Sequence, residues 1–155
     1  MPKKDGIRWI DLPFMFERDA DNAIRRTVTE TVTESLGSAT YTRQVLFYIP
    51  STAAVGADIS AHALWRGEDG TTIKIDASCK TAPVGAALIY VVKSGGATVG
   101  TVTIADGATT GTTSSLSIST IRDNNTLTVD CSQVGSGTAG ADVTIILECE
   151  AGLDT

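Results

Sequence analysis

Few side chains in this sequence could act as a nucleophile with its base. Of 155 residues, one is a histidine, His62, and three are cysteines, Cys79, Cys131 and Cys149. A catalytic thiol must be activated, usually by a histidine beside it or by a helix N-terminus. His62 lies in a strand-like pattern between two alanines, so we interpret it as a structural or exposed residue. The cysteines are odd in number and have no metal-binding spacing, which predicts reduced, buried thiols.

Carboxylates are the other candidates for chemistry. Asp69-Gly70 and Asp106-Gly107 have the composition of tight turns, and Asp123, Asp130 and Asp142 are scattered among further turn residues. A calcium site needs several oxygen ligands that converge on one point, and no single loop here supplies them. No nucleophile elbow, phosphate-binding loop, zinc-protease motif or dinucleotide fingerprint is present. We therefore predict a non-enzymatic protein with no catalytic residues, no metal site and no cofactor.

The composition argues against two classes of partner. The chain has 12 Lys and Arg against 18 Asp and Glu, a formal net charge of -6, whereas binding to nucleic-acid phosphates depends on Lys and Arg. The longest apolar run, residues 86–92, is far shorter than the roughly 20 residues that cross a bilayer. Arg8, Asp11 and Pro13 interrupt any signal-like apolar segment. We expect no nucleic-acid partner, no membrane partner and synthesis in a cytoplasm.

Charge is distributed unevenly along the chain. Residues 1–43 contain equal numbers of basic and acidic side chains, so the whole negative charge lies in residues 44–155. Three of the eight aromatic residues also lie among the first sixteen. This asymmetry predicts an N-terminal arm and linker, residues 1–43, followed by a folded domain, residues 44–155.

The folded domain shows strand patterns throughout. The chain contains 23 threonines and 15 glycines, a composition that favours short strands over helices. The clearest alternation is in residues 71–81, where Ile73, Ile75, Ala77 and Cys79 share one face. The predicted strands are residues 43–49, 60–66, 71–81, 86–92, 98–104, 115–121, 126–131 and 142–150. Residues 86–92 are nearly all apolar, which predicts a central strand covered on both faces.

Turn residues separate these strands, among them Asp106-Gly107, Gly111 and Asn124-Asn125. Eight strands without a convincing helix predict an all-β fold, an antiparallel β-sandwich of jelly-roll or immunoglobulin-like topology, preceded by an extended N-terminal arm. For residues 27–34 the sequence does not decide between a strand and a helix. They fit a strand by their β-branched composition, but Ile24, Val28, Val32 and Leu36 also have helical spacing.

Large apolar side chains are concentrated in residues 7–16. They are Ile7, Trp9, Ile10, Leu12, Phe14, Met15 and Phe16. The free energy gained by burying them is similar in size to the backbone entropy lost when the segment becomes ordered. The arm therefore needs a surface on which to order, and left exposed it would promote aggregation. We predict that these seven residues bind a partner; packing on the arm's own domain is the alternative.

A succession of short motifs runs through the folded domain. They are Tyr48-Ile49-Pro50, Val55-Gly56, Asp69-Gly70-Thr71, Lys80-Thr81-Ala82-Pro83, Gly85-Ala86-Ala87-Leu88-Ile89, Leu127-Thr128-Val129-Asp130, Gln133-Val134-Gly135-Ser136 and Gly140-Ala141-Asp142-Val143-Thr144. Over about residues 45–148 this succession resembles a β-sandwich module of tailed-bacteriophage structural proteins. The related modules often have a longer hairpin where this chain has Ser94-Gly95-Gly96, so their loop contacts do not carry over.

The resemblance implies a virion component, since such modules occur in capsid decoration proteins, fibres and other virion appendages. The single domain with an arm, without a coiled-coil stalk or long repeat, favours a capsid decoration (cement) protein. The expected partners are the major capsid protein and sister subunits in a homotrimer, and the expected location is the capsid surface after synthesis in the host cytoplasm. The alternatives are a fibre or tail-tip module that recognises host-cell glycans and a lectin-like domain unrelated to viruses.

Overall fold

The computed structural model of the chain describes residues 7–11, 14–16 and 40–152. Residues 40–152 form one compact unit, here called the body. Ahead of the body, strand β1 (Ile7–Asp11) pairs antiparallel with strand β2 (Phe14–Phe16). Residues 27–34, for which the sequence fits both a strand and a helix, lie outside the described residues. No helix in the described ranges is long and apolar enough to cross a membrane.

Nine strands follow one another within residues 40–152. They are β3 (Thr40–Thr52), β4 (Ala63–Leu64), β5 (Gly70–Thr81), β6 (Leu88–Ser94), β7 (Ala97–Ile104), β8 (Thr110–Thr113), β9 (Thr120–Ile121), β10 (Thr126–Gln133) and β11 (Ala141–Gly152). The five-stranded sheet has the order β3-β11-β5-β8, and β9 also pairs with β5. The four-stranded sheet has the order β4-β10-β6-β7. All pairings are antiparallel, which confirms the predicted all-β sandwich.

One apolar cluster fills the space between the two sheets. Alternate residues of β11, including Val143, Ile145 and Leu147, are fully buried. Alternate residues of β6, including Tyr90 and Val92, are buried in the same cluster. Successive side chains of a strand point to opposite faces, so each of these strands contributes one face to the core and leaves the other for solvent.

Strand β6 is central in its sheet, between β10 and β7, as predicted. It is not covered equally on both faces. Leu88, Tyr90 and Val92 are buried, whereas Ile89 and Val91 are only half-buried. The outer face of the four-stranded sheet therefore remains partly open to solvent.

The prediction for β5 holds except at one position. Ile75, Ala77 and Cys79 are buried on the core side, but Ile73 is 39% exposed. The register between β5 and β11 shifts here, because Glu148 pairs with Lys74 while Cys149 pairs with Thr72. Ile73 is the extra residue of this β-bulge, which turns its side chain out of the core.

The sequence prediction was wrong between β7 and β10. Of the predicted strand at residues 115–121, only β9 and a bridge from Leu116 to Gly100 are formed. Strand β8 forms where a turn was predicted at Gly111. It has no large apolar residue and pairs with β5 through its backbone, so no apolar alternation marks it in the sequence. The predicted strand at residues 60–66 shortens to β4.

Glycine is required at position 111 for packing. A Cβ atom built on Gly111 would overlap the carbonyl oxygen of Thr103 in β7. Strand β8 is at one edge of the five-stranded sheet and β7 is at one edge of the four-stranded sheet. The two sheets therefore come into close backbone contact at this edge of the sandwich.

Trp65, which directly follows β4, is the largest side chain that is fully buried in the core. Its side chain is fully buried and its indole Nε1 donates a hydrogen bond to the Glu68 carbonyl at 2.8 Å. The Arg43 guanidinium lies over the indole, with Cζ 4.1 Å from the ring centroid. A Cβ atom on Gly70 would overlap Cζ2 of the indole, so the ring fits here only because residue 70 has no side chain.

Strand β3 forms a long ladder with β11. The pairs run from Thr40 opposite Gly152 to Thr52 opposite Ala141. Near the Thr52 end of the ladder the register shifts, which leaves Pro50 and Ser51 as a β-bulge. Ser51 has a φ of 67°, and its N–H donates a hydrogen bond to Asp142 Oδ1 at 2.9 Å. The proline and the bulge limit how far a further strand could add to this edge.

Candidate functional site

Two rows of side chains cross the outer face of the five-stranded sheet, in register from β3 to β8. The first row is Tyr48, Thr144, Ser78 and Thr110, and the second is Leu46, Ile146, Asp76 and Thr112. These residues come from four strands and alternate with the core residues of the same strands. The register of the sheet, not their order in sequence, brings them together.

The two rows differ in side-chain size from one edge of the sheet to the other. On β3, Tyr48 and Leu46 are large and 55% and 61% exposed. On β5 and β8 the first row continues with Ser78 and Thr110, which are small and hydroxylic. The result is a groove of about 490 Å³ lined by Asp76, Ala77, Ser78, Thr110, Gly111, Thr112, Thr144 and Ile146. Tyr48 is not one of these lining residues; it is the register partner of Thr144 and therefore the next residue of the first row, on β3.

A charged cluster lies at one end of this groove. Lys74 Nζ is 2.6 Å from Asp76 Oδ2 and 3.3 Å from Glu148 Oε1. Thr112 Oγ1 donates a hydrogen bond to Asp76 Oδ1 at 2.6 Å. The bonds from Lys74 and Thr112 lower the pKa of Asp76, so this side chain is a carboxylate at neutral pH. One lysine against two carboxylates leaves the cluster with one net negative charge.

The seven predicted arm residues belong to the N-terminal part of the chain, ahead of the body. Ile7, Trp9 and Ile10 belong to β1, and Phe14, Met15 and Phe16 belong to β2, whereas Leu12 lies outside the described residues. The pairing of the two strands gives the backbone path of the arm at these positions. Their role in binding a partner remains a prediction.

The histidine and the three cysteines that were considered as base and nucleophiles do not contact one another in a catalytic arrangement. His62 Nε2 lies 2.8 Å from Asp58 Oδ2, and both side chains are largely exposed. The three cysteines are buried and free. Cys79 Sγ faces the Ala108 carbonyl and Cys131 Sγ faces the Gln133 carbonyl. All three cysteines belong to the apolar core cluster.

Burial makes these thiols poor nucleophiles, and we expect them to resist modification. It raises the pKa of Cys79 and of Cys131, and it raises the pKa of Cys149 to about 11. Because the thiolate is the reacting form, a raised pKa lowers reactivity near neutral pH, and the reactivity of Cys149 should increase only as the pH approaches that value. A colorimetric thiol reagent should detect little in the native protein and all three thiols after unfolding. Rapid modification of the native protein would contradict this expectation.

The aspartates noted in the sequence fix loops. Each accepts a hydrogen bond from a backbone N–H in another part of the chain: Asp69 from Asp123, Asp106 from Gly85, Asp123 from Gly67, Asp130 from Asp58 and Asp142 from Ser51. Asp106-Gly107 forms the predicted turn, with Gly107 at φ 80. Within residues 40–152 no group of three His, Cys, Asp or Glu side chains could hold a metal ion.

Sequence reasoning missed the groove for two reasons. First, an aromatic residue in a strand can face either the core or solvent: Phe47, Trp65 and Tyr90 are buried, whereas Tyr48 and Tyr41 are exposed. The serine and threonine residues of the groove follow the ordinary pattern of solvent-facing strand positions. The only local sign in the sequence is the alternation along β3: Leu46 and Tyr48 point to one face of the strand, and Phe47 and Ile49 point to the other.

No protein-family model and no curated protein matches the chain. Among solved structures, one titled "Crystal Structure of FLHE" is similar at 12% identity and a TM-score of 0.40, over 75% of this chain and 98% of that chain.

Proposed function

We propose that this protein is a non-enzymatic virion structural protein, a capsid decoration (cement) protein that binds the major capsid protein shell through its N-terminal arm and stabilises it. The observation that carries the proposal is the self-contained core of the body. The core cluster runs from Phe47 to Cys149, with side chains from both sheets. A body with such a core is a folded module in its own right, and the apolar residues of the arm are then suited to a partner surface.

The charge distribution also supports a body that faces solvent and an arm that binds a partner. The negative charge of the chain lies in residues 44–155, whereas residues 1–43 are neutral overall and rich in large apolar side chains. An acidic body favours solvent, and an apolar arm gains free energy by being buried between protein subunits. Added contact area between capsomers stabilises a shell because it must be broken before they separate.

Sister subunits are the second proposed partner. A homotrimer is implied by the resemblance to phage decoration modules, and it fits the need to cover apolar residues on a soluble protein. The motif succession over residues 45–148, from Tyr48-Ile49-Pro50 to Gly140-Ala141-Asp142, supports the virion assignment in the same way.

Deletion of residues 1–18 tests the arm directly. Full-length protein mixed with undecorated capsids should co-sediment with them, and the deletion variant should bind at least about tenfold more weakly because its apolar anchors are missing. Leu64→Gln, at an exposed position of the body, is the matched control and should bind like the full-length protein. Undiminished binding of the deletion variant would refute the proposal.

The position in the particle is an independent test. Cryo-microscopy of purified virions should place the protein on the capsid shell. Density at the tail tip or on a fibre would contradict a decoration role and would favour the host-recognition alternative.

A further inference from the structure

The groove on the outer face of the five-stranded sheet has the features of a ligand site. Its volume of about 490 Å³ falls within the roughly 300–1,000 Å³ of small-molecule sites, which are mainly apolar with a few polar groups that orient the ligand. Here Ile146 supplies apolar side-chain surface, and Asp76 with the hydroxyls of Ser78, Thr110 and Thr144 supplies polar groups.

The groove is preformed because it lies on the most extensively paired part of the body. Strand β11 pairs with β3 on one side and β5 on the other over most of its length, and β5 pairs in turn with β8. The position of Asp76 is fixed further by its bonds to Lys74 and Thr112. A ligand that binds here therefore pays little conformational entropy for ordering the site.

The charge of the groove selects against anions. The cluster of Lys74, Asp76 and Glu148 has one net negative charge, and its only lysine is already within salt-bridge distance of both carboxylates. Phosphate-bearing ligands and acidic sugars would meet Asp76 without an available cation in this cluster. A neutral ligand avoids this repulsion and can donate hydrogen bonds to the carboxylate.

The side-chain types argue against a protein as the main occupant. Energetically important positions of protein interfaces are rich in Trp, Tyr and Arg and poor in Ser, Thr and Leu, whereas this groove is lined mainly by small hydroxylic residues. A sugar ring matches it better, because it has hydroxyls around its rim and an apolar C–H face. The hydroxyls and Asp76 can bond the rim, and the exposed ring of Tyr48 can pack against the C–H face.

We propose that this groove binds a neutral oligosaccharide, with Tyr48 as the stacking platform and Asp76 as the principal hydrogen-bond acceptor. All residues of the site belong to the body, and the proposal does not depend on the shell-binding role. It places carbohydrate recognition on the body, on the sheet face opposite the core.

The test uses the full-length protein on an array of neutral and acidic oligosaccharides, followed by titration calorimetry with the neutral sugar that binds best. Tyr48→Ala and Asp76→Asn should each weaken binding about tenfold, since each removes one principal contact. Tyr48→Phe keeps the ring and should stay close to wild type. Tyr41→Ala is the matched control, because Tyr41 is also an exposed tyrosine of β3 but lies outside the groove. Thermal unfolding of each variant verifies that the body remains folded.

Three results would overturn the proposal: no neutral oligosaccharide bound with a Kd below about 1 mM, binding confined to acidic sugars, or binding unaffected by both Tyr48→Ala and Asp76→Asn. The same two variants should bind capsids like wild type. A failure of carbohydrate binding and a failure of shell binding are therefore distinguishable.

Discussion

Replacing Trp65 with alanine is expected to destabilise the body by about 4 kcal/mol, in the range for deleting a large buried aromatic side chain. The indole is fully buried, its N–H bonds the Glu68 carbonyl, and Arg43 stacks on its face. Because domains of this size are stable by only about 5–15 kcal/mol, the loss is a large share of the total. Denaturant unfolding should show it, together with a fall in melting temperature on the order of 15 °C.

Leu64→Ala is the control for this substitution. Leu64 is the neighbouring residue and is 48% exposed, so its truncation should change the free energy of unfolding by less than about 0.5 kcal/mol. Trp65→Phe should lie between the two, because it keeps an aromatic ring in the core and loses the hydrogen bond. Equal stability of Trp65→Ala and Leu64→Ala would show that the core does not depend on the indole.

Gly111→Ala is expected to have the second large effect, about 3 kcal/mol of destabilisation. The added methyl group would overlap the Thr103 carbonyl oxygen, and a backbone atom in a paired strand cannot move aside as a flexible side chain can. Strands β7 and β8 would have to separate, which opens one edge of the sandwich. Chemical unfolding of the variant and the wild type measures the difference.

Gly152→Ala is the matched control for the glycine substitution. Gly152 also lies in a strand, β11, but no atom of the described residues would lie within 4 Å of a Cβ at this position. Its replacement should be neutral or slightly stabilising, since alanine restricts the unfolded chain. If both glycine variants were equally stable, close approach of β7 and β8 would not be the reason for glycine at position 111.

The strands that could be predicted from the sequence are those whose own side chains contain the information. In β5 and β11, apolar and polar residues alternate, and each strand is buried on one face as that alternation requires. The Asp106-Gly107 turn was predictable in the same way, because glycine readily adopts the positive φ observed there.

Features that depend on pairing between distant strands could not be predicted. Ile73 keeps the alternation of β5, yet a bulge against β11 exposes it. Gly111 has the composition of a turn, yet it lies in β8 because β7 approaches too closely for a side chain. Both outcomes are set by a neighbouring strand, and a single sequence does not specify which strand that is.

The groove illustrates the same limit for function. Tyr48, Asp76, Thr112 and Thr144 are distributed over nearly a hundred positions of the chain and meet only through the register of four strands. Each of them, taken singly, is an ordinary solvent-facing residue of a strand. The arm residues, by contrast, stand out in the sequence because all seven lie within residues 7–16.

The pairing of Thr40 with Gly152 has a mechanical consequence. Paired residues in an antiparallel ladder lie about 5 Å apart, and the hydrogen bonds between them run perpendicular to the strands. A force that pulls these two residues apart would open the β3–β11 ladder one pair at a time, whereas a force along the strands would load many pairs together. The body therefore resists a force that separates Thr40 from Gly152 only weakly. A single attachment point that holds both residues together would prevent such a force from acting on the ladder.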